Sequence, residues 1–182
     1  MRRPQVAWVV GFFLLGVAIK YWCVDPAPAP IRESSWEGEE IQVILLASPT
    51  CGVCQTEEFR RIMASSLADL SARNWGEGRR FSKVFVGLGH DVDEGLALAE
   101  SISDFDELIV GHGWLNLGAI QYLWGGLPSE ASTPNLAITR RRIEFDENTG
   151  RLLPENEELI IRLLGLGEIR RWVGNGAVVP GI

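Results

Sequence analysis

The sequence predicts an α/β domain, a mixed sheet flanked by helices, and three observations carry that reading. Ile41 to Ala47 is a short apolar, β-branched run with the length and composition of a buried strand. Phe59, Ile62, Met63, Leu67 and Leu70 then recur at spacings of three and four, which is one face of a helix. Phe81 to Leu88 supplies a second apolar strand, and a parallel return after the helix makes a βαβ unit.

The elements follow in order along the 182 residues. Val6 to Val24 is apolar except for Lys20 and long enough, as a helix, to cross most of a ~30 Å hydrocarbon core. Lys20 can snorkel to the headgroups, and Tyr21 and Trp22 suit the interface. Arg2 and Arg3 precede the run and favour a cytoplasmic N-terminus. The expectation is a single-pass anchor in the cell (inner) membrane, contacting the lipid bilayer through residues 6–24, with the C-terminal domain on the periplasmic side.

A cleaved signal peptide is the competing reading, since Ala27-Pro28-Ala29 has small residues at suitable spacing. Pro30 after the cut, and the prolines around it, speak against cleavage. Tyr21-Trp22 before Cys23 is too bulky for a lipid-attachment signal. Either way the domain is exported to a space where disulfides persist. The expected organisation is an anchor over 1–24, a stiff Pro/Ala-rich linker over 25–35, one domain over 36–173 and a C-terminal tail over 174–182.

Ser48-Pro49-Thr50 ends the first strand and places Cys51 at a helix N-terminus. Gly87 to Gly95 is a polar turn. Helical apolar spacing returns over Glu94–Ile102 and Trp114–Trp124, joined by an acidic connection from Asp104 to Glu107. This reads as a helical insertion over the cysteine end, with Trp114, Leu117, Tyr122 and Trp124 available either as core or as the lining of a peptide groove. Asn135–Phe145 and Arg151–Leu153 form an antiparallel hairpin about the turn Asp146–Gly150. Pro154 is expected to stop it. Glu155–Leu164 reads as a terminal helix ended by Gly165–Gly167, and the tail from Gly174 carries no assignable pattern.

Charge narrows the partners. Residues 25–182 hold 14 of the 17 basic residues and all 24 acidic ones, a formal charge of −10, so nucleic acid is an improbable partner. Arg140-Arg141-Arg142 is the one dense basic run, and on a strand its side chains alternate faces, which suits a solvated edge better than a phosphate site. No cofactor motif, phosphate loop or Ser/His/Asp arrangement is present.

Cys51-Gly52-Val53-Cys54 carries the chemistry. A thiolate is the reactive form of cysteine, and free N–H groups at a helix start together with the helix dipole would stabilise it on Cys51. Cys54, one turn further in, would be more buried and placed to resolve a mixed disulfide formed by Cys51. A structural Cys51–Cys54 disulfide is an alternative, although so short a loop stabilises little. Zinc is another, but there is one CxxC only, and His90 and His112 are not at a zinc spacing. The third alternative is a binding domain with incidental thiols. The odd cysteine, Cys23, is a small hydrophobe or, in an oxidising space, the link of a homodimer.

A strand, Thr50-Cys51-Gly52-Val53-Cys54 and an amphipathic helix, with Thr133-Pro134 ahead of the strand Asn135 to Thr139, resembles the thioredoxin superfamily, and within it the periplasmic disulfide isomerase and DsbA-like branch. The resemblance covers residues 36–167 as architecture. It implies a four-stranded mixed sheet with a helical insertion, a redox-active Cys51–Cys54 pair, a cis Thr133–Pro134 bond facing it, and a Thr133 backbone that pairs with an extended substrate. It implies reduction or isomerisation of disulfides in exported cysteine-containing proteins, with a membrane or periplasmic redox partner and no metal or other cofactor. A non-catalytic peptide-binding adaptor in a membrane assembly is the alternative. Two positions depart from the pattern: Leu45 stands where thioredoxins bury an acid, and Thr50 stands where they have Trp.

Overall fold

The structure, a computed structural model, describes residues 36–125, 131–146 and 151–181. The expected anchor over 6–24, the linker, Cys23 and hairpin-turn residues 147–150 lie outside the described residues. Among those described, no helix is long and apolar enough to cross a membrane. Trp36 to Ile182 forms one compact unit.

Its framework is a five-stranded mixed sheet. β1 is Gly38–Ala47, β2 Arg79–Gly87, β3 Glu107–Ile109, β4 Asn135–Asp146 and β5 Arg151–Leu164, in the order β3-β2-β1-β4-β5. β2 lies parallel to both β1 and β3, while β4 runs antiparallel to both β1 and β5. From Glu40 to Ala47 every residue of β1 is buried, because helices or helical turns cover both faces of the sheet. Ile41, Val43, Leu45 and Ala47 face one core, and Ile44 and Leu46 face the other.

The first core is closed by α1 (Glu57–Ser71), α2 (Val92–Glu100) and the terminal helix. Phe59, Met63, Leu67 and Leu70 of α1 are buried there, as their spacing predicted. Thr56 caps α1 by accepting the Phe59 N–H on its hydroxyl at 3.2 Å, and Asp91 caps α2 through Glu94 N–H at 3.0 Å.

Four expectations are corrected. The sheet has five strands, not four. β3 occupies part of the stretch read as an acidic connection, and it forms because Asp106 exchanges bonds with Lys83: its carboxylate accepts the Lys83 N–H at 2.8 Å and its own N–H reaches the Lys83 carbonyl at 2.9 Å. Glu155–Leu164 is not a helix but most of β5. Pro154 lies within that strand opposite Ile143, on the sheet's outer edge where a missing N–H is tolerated. Leu159 to Leu164, apolar except for Arg162, suits either a helix or a strand by pattern, and pairing with β4 decides it.

The terminal helix therefore begins where an end was expected, as Gly165–Gly174. Gly165, at φ 72°, makes the break, and Glu168 accepts the Leu164 N–H at 2.7 Å. The tail beyond it is packed: Val179 joins the first core, and Arg73 at the end of α1 donates to the Ala177 and Gly176 carbonyls at 2.8 and 2.9 Å.

The fourth correction concerns Trp114–Trp124, which is not one helix. It consists of a 3₁₀ turn, Gly113–Leu115, then α3, Leu117–Ala119, running into a π-helical turn, Ile120–Trp124. Asn116 restarts the chain in the middle by accepting the Ala119 N–H at 2.7 Å and donating to the Gly87 carbonyl at 2.8 Å. Gly118 lets the backbone approach the sheet, since a Cβ there would lie 2.7 Å from Val86 Cγ2. With the terminal helix numbered α4, the order is β1-α1-β2-α2-β3-α3-β4-β5-α4.

Candidate active site

β1 ends at Ala47, and Cys51 to Thr56 forms a turn before α1. Cys51 is thus not in the first turn of α1, which begins at Glu57. The donor it was expected to draw from the helix comes from this turn instead: the Cys54 N–H points at Cys51 Sγ at 3.3 Å, while the Gln55 N–H closes the turn on the Cys51 carbonyl at 3.2 Å. Both cysteines are free thiols, Cys51 partly exposed and Cys54 fully buried in the first core.

Across the sheet end, β4 begins immediately after Pro134, and the Thr133–Pro134 bond is cis. The Cys51 thiol donates to the Thr133 carbonyl at 3.6 Å, so the two sequence motifs, 82 residues apart, meet at the sulfur.

The two thiols have opposite electrostatics. At Cys51 burial opposes the thiolate, but hydrogen bonds from the Cys54 and Thr133 side chains and from the backbones of Cys54 and Val53 outweigh it, so the thiol lies below its usual value. Burial, followed by the neighbouring Cys51, pushes the Cys54 thiol up to about 12. A partly exposed thiol held below its usual value therefore sits beside a buried, protonated one.

Leu45 is fully buried in the same core as Cys54, a hydrocarbon where the resemblance would have a carboxylate. Glu58 points outward and pairs with Arg170 of α4 at 2.5 Å. Sequence reasoning missed Ser48, which is buried, shares a hydrogen bond of 2.9 Å with the Thr50 hydroxyl, and through its backbone opposes the rise at Cys54. The strand-ending Ser48-Pro49-Thr50 was the available signal.

The residues offered as a peptide groove separate. Tyr122 is core, its hydroxyl donating to Gln42 Oε1 at 3.3 Å, and Trp114 packs partly buried against the second core. Leu117 and Trp124 are exposed. The three arginines lie on β4, inside the sheet and not at its edge, and each meets a carboxylate: Arg140 with Glu158 at 2.6 Å, Arg141 with Glu40 at 2.7 Å and Arg142 with Glu144 at 2.6 Å. Among the described residues no group of His, Cys, Asp and Glu could hold a metal ion. No protein-family model matches the chain, and no curated protein or solved structure is significantly similar to it.

Proposed function

We propose that this chain is a thioredoxin-fold thiol-disulfide oxidoreductase, exported and tethered to the membrane, that reduces or isomerises disulfides in exported cysteine-containing proteins. The observation that carries the proposal is the partly exposed Cys51 sulfur beside the Thr133 backbone, with the thiol of Cys54 protonated behind it. The mixed sheet, with β1 parallel to β2 and antiparallel to β4, is in keeping with this reading.

In this reading the Cys51 thiolate attacks one sulfur of a substrate disulfide. A mixed disulfide forms, and the other substrate sulfur leaves as a thiolate that takes a proton. Cys54 then loses its proton and attacks the Cys51 sulfur, which releases the second substrate thiol. The substrate gains two electrons and the pair becomes a Cys51–Cys54 disulfide, which a membrane or periplasmic dithiol partner reduces again. With Leu45 in place of a carboxylate, the Cys54 proton passes to the departing thiolate or to water. The extended substrate lies along Thr133, whose carbonyl exchanges the Cys51 thiol for a substrate N–H.

Turnover of a fluorogenic disulfide peptide by the full chain, with a small-molecule dithiol as reductant, tests the reading. Cys51→Ser should lower turnover at least 100-fold. Unchanged turnover would sink the proposal.

A further inference from the structure

The segment from Gly113 to Trp124 is apolar on two faces. Inward, Ala119, Tyr122 and Leu123 are buried against Ile44, Leu46, Val84 and Val86 of the sheet. Outward, Leu117 is 79% exposed, Leu115 75%, Trp124 51% and Ile120 47%. Large apolar side chains on both faces of a helical stretch call for apolar surroundings on both sides, and here the sheet supplies only one.

Polar groups on the outer side are few; the exposed Gln121 side chain donates to the Glu157 carboxylate at 2.8 Å. From Leu108 to Gly125 the chain carries no Asp, Glu, Lys or Arg, in a protein that is 23% charged. The Trp124 indole N–H is satisfied internally by the Trp114 carbonyl at 2.9 Å, and the two rings lie 6.5 Å apart.

We infer that this face docks on the lipid surface of the membrane to which the chain is tethered, an inference that rests on the proposed anchor over residues 6–24. Among the described residues the segment offers four large outward apolar side chains, a small apolar centre for a stable protein interface. They suffice for shallow insertion by a tethered domain, because a tether turns the second contact into an intramolecular one. The 11 residues over 25–35, at no more than about 3.6 Å each, limit the chain length between the proposed anchor and the domain to roughly 40 Å. Since the face carries no cation and the domain is strongly acidic, the attraction is apolar burial and does not require anionic lipid.

The test uses the full chain in phosphatidylcholine nanodiscs doped with a phosphatidylcholine bearing a diazirine near the top of its acyl chain. After photolysis, lipid adducts are mapped by peptide mass spectrometry. Adducts are expected both on residues 6–24 and on residues 113–125. Leu117→Ser with Trp124→Ser, both at exposed positions, should cut the second set at least fivefold and leave the first unchanged. Adducts on 6–24 alone overturn the inference while the anchor stands. If wild type then also holds two copies per disc and the variant one, the face belongs to a second copy. Adducts in neither place remove the anchor and the inference with it.

Discussion

At Cys51 the sulfur keeps a path to solvent and collects hydrogen bonds, whereas Cys54, three residues on, is enclosed by hydrocarbon. The thiolate fraction of Cys51 therefore rises at lower pH than that of an ordinary thiol. Iodoacetamide labelling from pH 5 to pH 10 should modify Cys51 first, with a midpoint below that of a free thiol, and leave Cys54 unmodified throughout. Equal rates at the two sulfurs would contradict the assignment. The pair was legible because its spacing is local, and Thr133-Pro134 because proline before an apolar strand is a local pattern too. Ser48 was not, since it acts on Cys54 through a backbone group that its side-chain identity does not encode.

Element by element, local chemistry was readable wherever one pattern had one outcome. The α1 stripe is such a case, and its cap is testable: Thr56→Ala removes the bond to the Phe59 N–H and should cost about 1 kcal/mol in urea unfolding, with turnover nearly unchanged. The stretch Leu159 to Leu164 had two outcomes, because a short apolar run reads equally as buried strand or helix. What selected the strand is a partner more than ten residues away in sequence, including the cross-strand pair of Arg140 and Glu158. Trp114–Trp124 failed as one helix for a different reason. Its apolar residues serve two faces, and the sheet engages only Ala119, Tyr122 and Leu123 firmly.

For the molecule as a whole, the two cores on either side of β1 set the stability, and the candidate site sits where β1 ends and β4 begins beside them. The tail belongs to that structure despite its unpatterned sequence, because a single buried side chain, Val179, and carbonyls held by Arg73 leave no periodic trace. Deleting residues 176–182 should lower unfolding free energy by roughly 2–4 kcal/mol, read from urea midpoints. An unchanged midpoint would show that the tail contributes nothing.

The ordered roles of Cys51 and Cys54 are the central claim, and trapping of mixed disulfides tests it most directly. Cys54→Ala leaves Cys51 able to attack but nothing to resolve the product, while Cys51→Ala removes the attacking sulfur. Incubated with disulfide-bonded proteins and resolved on non-reducing gels, Cys54→Ala should accumulate reducible adducts at least tenfold above Cys51→Ala. Equal adduct levels in the two variants would contradict an ordered exchange.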